Sequence, residues 1–159
     1  MAQLVRISSG APWEPVAAYS RAVQAGEFVA VSGTTAIDER GLVVGGGQMY
    51  VQARQALLNI RTALHRMGLS MQDVVRTRMF VTDISRFAEV ARAHQEFFAE
   101  APPASTMVEI KRLVHPAMLV EIEADAYRRS TPPEPKASQR ARPKTIGKKK
   151  SASKLKRRR

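Results

Sequence analysis

The apolar residues of this chain change period twice, and that change limits the fold more than any other feature. Up to Ile37 they come in short β-rich runs: "LVRI" over 4–7, then "YSRAVQAGEFVAVSGTTAI" over 19–37, with Ala25-Gly26 as a hairpin turn. The proline-bounded "APWEP" (11–15) between them reads as a loop. From Gln48 to Met67 the alternation stops. Ala53, Ala56, Leu57, Ile60, Ala63, Leu64 and Met67 fall on one side of a 3.6-residue period, so a helix is expected, with Gly68 suited to end it. "VVRTRMFVTDI" (74–84) returns to a strand. Phe87, Val90, Ala91, His94 and Phe98 then line a second helix, capped by Asp83 or Ser85 and closed by Pro102-Pro103. "STMVEIKRL" (105–113) and "LVEIEADAY" (119–127) complete the order β-β-β-α-β-α-β-β. This order predicts an α+β domain, a six-stranded mixed sheet with two helices on one face. The other face then needs cover, which points to an oligomer.

Charge divides the chain. Residues 1–127 carry 12 Lys+Arg against 13 Asp+Glu, a sum of −1; residues 128–159 carry 14 against Glu134 alone, a sum of +13. The expected organisation is a neutral domain over 1–127 and a disordered Lys/Arg-rich tail over 128–159, which has almost no large apolar side chains to bury. Such a tail offers salt-dependent attraction to phosphate polymers but no aromatic platform for bases. There is no cysteine, which excludes disulfides and thiolate chemistry. The three histidines, His65, His94 and His115, have no metal-binding spacing. No apolar run approaches the roughly 18 residues of a membrane span, and the N-terminus lacks the core of a secretory signal. A cytoplasmic setting without membrane contact or cofactor is the expectation.

"YSRAV" (19–23), "VSGTT" (31–35), "QARQALLNI" (52–60), "VVRTRMFVTDI" and "LVEIEADA" (119–126), in this order and spacing, resemble the Rid family, also called the YjgF family. The resemblance runs from about Pro15 to Tyr127. It implies a chorismate-mutase-like fold, a homotrimer, and clefts each lined by two subunits. It also implies hydrolysis of reactive imines and enamines (deamination of 2-imino acids) without a cofactor. Tyr19 matches a tyrosine that lines the cleft, Ser32 and Gly33 a pair that faces the ligand, and Glu121 a carboxylate that orients water. One position departs. Deaminating members place a carboxylate-binding arginine after a Pro-Ala pair, and here Pro103-Ala104 is followed by Ser105. Met107 stands where a cysteine is common, and Ala91 near the place of an asparagine.

The residues also admit plainer readings. Glu123 and Asp125 form a charged strand face with Glu121, and like charges in a row call for cations. Arg76 and Arg78 could supply them; alternatively Arg78 reaches the cleft and replaces the charge that Ser105 lacks. His94 is read as a packed histidine and Trp13 as a surface clamp. The function expected is imine or enamine hydrolysis on a small metabolite other than the standard 2-imino acids. Two rivals stay open: a non-catalytic metabolite-binding module, and RNA binding through the tail.

Overall fold

The computed structural model describes residues 4–129. Nine elements follow in chain order: β1 (Leu4–Ile7), α1 (Trp13–Ala17), β2 (Ala22–Ala25), β3 (Phe28–Thr34), α2 (Met49–Arg66), β4 (Val74–Val81), α3 (Phe87–Phe98), β5 (Ala104–Glu109) and β6 (Val120–Tyr127). The strands form one sheet in the order β1-β2-β3-β6-β4-β5. Every pairing is antiparallel except β4 with β5, whose crossover contains α3. The six-stranded mixed α+β sheet is therefore as expected.

One face of the sheet supplies the core. Val29 and Val31 of β3, Met79 and Val81 of β4, and Val120, Ile122, Ala124 and Ala126 of β6 are buried. They form one cluster with Ala53, Ala56, Leu57, Ile60 and Leu64 of α2 and Val90, Ala93 and Phe98 of α3. The opposite face carries the intervening residues of β6 and β4, Glu121, Glu123, Asp125, Arg78 and Phe80, none of them fully buried. Period-2 alternation puts charge on one side of β6 and its apolar residues on the other.

Several local expectations change. "APWEP" opens the short helix α1, Trp13–Ala17, which ends on Ala18 in the left-handed conformation at φ 53°. The hairpin between β2 and β3 turns at Gly26-Glu27, with Gly26 at φ 62°. On α3, Phe87 is exposed and Ala93 is buried instead, so the packed stripe is rotated from the expected one. β5 stops at Glu109, whose carboxylate turns back to accept from the Ile84 amide at 2.9 Å. Asp83 does act as a cap, accepting from the Ser85 amide at 3.0 Å ahead of the short 3₁₀ turn that leads into α3.

Two further contacts fix the frame. Gln52 of α2, with no exposed surface, donates to the carbonyls of Gly46 and Ala117 and accepts from the Leu119 amide. One buried amide thus ties the Gly45–Gly47 turn to the loop that delivers β6. At the end of α2, Gly68 takes φ 71°, and the Arg128 guanidinium donates to the carbonyls of Met67 and Gly68. Arg129 pairs with Asp73 at 3.3 Å. These two arginines, counted by charge with the tail, are docked on the domain. The rest of the basic tail, 130–159, lies outside the described residues, as does any binding to nucleic acid read into it.

Candidate functional site

A bulge in β3 creates the site. Val31 pairs with Ala124 and Thr34 with Ile122, so three steps along β3 match two along β6. The extra residue lies at Ser32-Gly33, opposite Glu123 in the ladder and beside the Glu121 side chain. Gly33 matters there for the space it leaves rather than for its φ. A Cβ built on it would lie 1.8 Å from Glu121 Oε1. The missing side chain is the place occupied by the Glu121 carboxylate.

A bulge frees carbonyls from the ladder, and those need donors. Arg21, 9% exposed, supplies them. Its Nη1 donates to Gly33 O at 2.8 Å, to Ser32 O at 3.3 Å and to Thr34 Oγ1 at 2.8 Å. Its Nη2 donates to the Tyr19 hydroxyl at 3.2 Å. Behind it, Glu14 is 6% exposed and lies 3.8 Å from Arg21 Nε. The Glu14 carboxylate accepts from Ser8 Oγ, from Ser9 Oγ at 2.6 Å and from the Ser9 amide at 2.9 Å. Burial opposes its ionisation, but the bonds from Ser8 and Ser9 and the Arg21 charge outweigh it and hold the Glu14 pKa below the ordinary glutamate value. Ser8, Gly10, Glu14, Pro15 and Tyr19 line a groove of about 470 Å³ beside this network. Arg21 and Glu14 were not singled out from the sequence. A charged residue among the apolar neighbours of "YSRAV" was the available signal.

Glu121 differs from the other acids on its strand. Arg78 lies 3.4 Å from Glu123 and 3.2 Å from Asp125. Glu121 has no hydrogen bond or ion pair among the described residues. Burial and the neighbouring Glu123 charge push its pKa above the ordinary glutamate value, and Arg21 offsets this only in part. A half-buried carboxylate raised in this way is better suited than an ordinary glutamate to take and return a proton.

The remaining expected site residues divide between two faces. Tyr19, Ser32 and Gly33 converge with Glu121 through Arg21. The Ser32 hydroxyl donates to Ser20 O at 2.7 Å, so its proton is used within the turn. Arg78 shares Glu121's face, but its guanidinium is held by Glu123 and Asp125. Ser105 and Met107 do not join this group. In the β4–β5 register they pair with Thr77 and Met79, which face the helices. Met107 is partly buried against the core. Ser105 Oγ accepts from Thr77 Oγ1 at 3.0 Å, and Thr77 Oγ1 also meets His94 Nε2 at 3.0 Å. His94 is therefore packed, as read, but in a polar chain. Among the described residues there is no cluster of His, Asp or Glu able to hold a metal ion, and no helix long and apolar enough to cross a membrane.

A sheet with this order, covered on one face by two helices, has close counterparts among known proteins. The family model described as endoribonuclease L-PSP matches residues 9–128. The chain belongs to this family, the Rid/YjgF family. A YjgF/YER057c/UK114 family member from Mycobacterium tuberculosis is 44% identical, with a TM-score of 0.72 over 79% of this chain and 99% of that one. A RutC family protein of Pyrococcus horikoshii is 36% identical over 72% of this chain and 90% of its own length. The 2-iminobutanoate/2-iminopropanoate deaminase of Salmonella typhimurium is likewise 36% identical, over 70% of this chain and 88% of its own.

Proposed function

We propose that the chain is a cofactor-independent hydrolase of small reactive imines or enamines, acting in a cleft between the protomers of a homotrimer. The observation that carries the reading is Glu121: a half-buried carboxylate with a raised pKa, seated over Gly33 and free of ion pairs among the described residues. The deaminase relative lends the reaction class. An iminium carbon is already electrophilic, so the protein has only to place it, orient a water and move protons. Glu121 takes a proton from the water as its oxygen bonds to the C=N carbon. The π pair moves to nitrogen, which then receives that proton back from Glu121. The C–N bond of the carbinolamine breaks and ammonia leaves as the C=O bond forms, with the hydroxyl proton passing to the Glu121 carboxylate and on to ammonia.

The intersubunit cleft follows from the two faces. Within one protomer Glu121 and Ser105 point to opposite sides of the sheet. A ligand that touches both lies between the Glu121 side of one protomer and the Ser105 edge of another. Exposed Phe28, Val108 and Tyr127 add apolar surface for such an assembly. Substrate choice follows from Ser105. A hydroxyl gives a neutral hydrogen bond of about 1 kcal/mol where a guanidinium gives about 1.5–3 kcal/mol and a second donor. Standard 2-imino acids should therefore be hydrolysed at least about tenfold more slowly than by arginine-bearing relatives, measured as ammonia release from 2-iminobutanoate formed in situ. A rate equal to theirs contradicts the substrate assignment. A small imine or enamine that raises Tm without being consumed would instead mark a binding module.

A further inference from the structure

Thr77 is the middle of a chain of polar atoms of which the chemistry above uses only the outer end, Ser105. It has no exposed surface, yet its single hydroxyl meets two partners, His94 Nε2 and Ser105 Oγ, each at 3.0 Å. A hydroxyl has one proton. Thr77 can donate to Ser105 only when His94 donates to it, and can donate to His94 only when Ser105 donates to it. The two ends are therefore coupled. With the proton on Nε2, the Ser105 hydroxyl points its own proton outward. With the proton on Nδ1, the chain reverses and Ser105 presents a lone pair. Ser105 is exposed on the edge strand β5, so its outer side is open to a ligand.

We propose that His94, Thr77 and Ser105 form a reversible proton wire, whose outer end lets the Ser105 hydroxyl act as acid or base toward the imino, amino or hydroxyl group of a small ligand. In the accepting direction a ligand proton passes to Ser105 Oγ, the Ser105 proton to Thr77 Oγ1 and the Thr77 proton to His94 Nε2. Three protons each shift by one hydrogen bond, the net transfer is one proton from the ligand to Nε2, and an imidazolium forms with no heavy-atom bond broken. Among the described residues, His94 makes its hydrogen-bond and ring contacts with the hydroxyl of Thr77 from β4, with Ser105 of β5 behind it, and with the Phe98 ring on its own helix, with centroids 4.4 Å apart. None of these carries charge. Burial lowers the His94 pKa, which favours the neutral ring with one nitrogen lone pair open to a donor. Ser105 would be the catalytic residue, with Thr77 and His94 as positioning residues behind it. Only the identity of the ligand group rests on the proposed cleft.

The wire can be tested on the full chain without any substrate, so a failed wire and a failed imine hydrolysis are separate results. Phenylmethanesulfonyl fluoride is the probe. Ser105 Oγ bonds to sulfur, the S–F bond breaks, fluoride leaves and the hydroxyl proton passes through Thr77 to His94. Mass spectrometry should find Ser105 sulfonylated in the native protein. Its rate should rise with pH along the titration of the His94 ring followed by NMR. Thr77→Val and His94→Gln should slow labelling at least about tenfold, the lower end of general-base effects, and Thr77→Ser should restore it. Absence of label at Ser105, a rate that ignores the His94 titration, or an equal rate in His94→Gln would overturn the proposal.

Discussion

The two halves of the β6 acidic face are built from the same residue type and behave differently. At one end Glu123 and Asp125 share Arg78, all three partly exposed at the surface. At the other end Glu121 sits over a glycine bulge, and the nearest cation, Arg21, is committed to carbonyls, a threonine and a tyrosine. The alternation of β6 alone gives three equivalent carboxylates. The bulge in β3 makes one of them different. It removes a side chain, brings the carboxylate in, and recruits Arg21 to satisfy the backbone it disturbs. Burial, and after it the neighbouring Glu123 charge, then raise the Glu121 pKa.

The largest effect should come from the cation that supports the distinction. Arg21→Met strips donors from Ser32, Gly33 and Thr34 and leaves Glu14 buried beside no charge. Loss of one partner from a buried pair costs about 3–5 kcal/mol, readable as a fall in denaturant midpoint. Gly33→Ala is next. Its Cβ takes the place of the Glu121 carboxylate, the flexible end of a half-exposed side chain, so Glu121 must swing away, with little loss of stability but with the proposed imine hydrolysis largely lost. Glu121→Gln separates stability from chemistry. A folded-state pKa above the unfolded one means that this acid favours folding while protonated and loses that benefit as pH rises through the folded value. Removing the charge should thus keep or raise Tm at neutral pH while lowering hydrolysis about a hundredfold. Glu14 has the opposite sign. Its depressed pKa contributes stability above the unfolded value that is lost as pH falls, so Glu14→Gln should flatten the acid limb of the stability curve. The smallest change is expected at the exposed end, where Arg78→Met should cost no more than about 1 kcal/mol.

What the sequence revealed, and what it hid, follows the range of the interactions. The alternation of "LVEIEADA" and the helical period of 53–67 are local, and β6 and α2 stand where they indicate. The helix α1 was hidden because two prolines within "APWEP" read as a loop, although Pro12 and Pro15 both suit a first helical turn. Val90 and Phe98 of the expected α3 stripe are buried, but Phe87 is exposed and Ala93 takes its place, because the helix packs chiefly against α2, a contact its own period does not reveal. The facing of Ser105 and Met107 is set by parallel pairing with β4, a non-local register. Tyr19, Ser32, Gly33 and Glu121 were found through resemblance, and the structure brings them together. Arg21 and Glu14, which hold them, were missed, because a buried ion pair is visible only when the bulge that needs it is known. The same applies to His94, whose partner Thr77 is 17 residues away.

The central claim is that Glu121, unlike Glu123 and Asp125, is a carboxylate kept without an ion pair so that it can exchange protons. Titration of the Glu121 side-chain carboxyl carbon by NMR, in the full-length protein, tests it most directly. The account predicts a midpoint above the ordinary glutamate value, moving higher in Arg78→Met as Glu123 loses its counter-charge. A midpoint at or below the ordinary value, unmoved by that substitution, would contradict it.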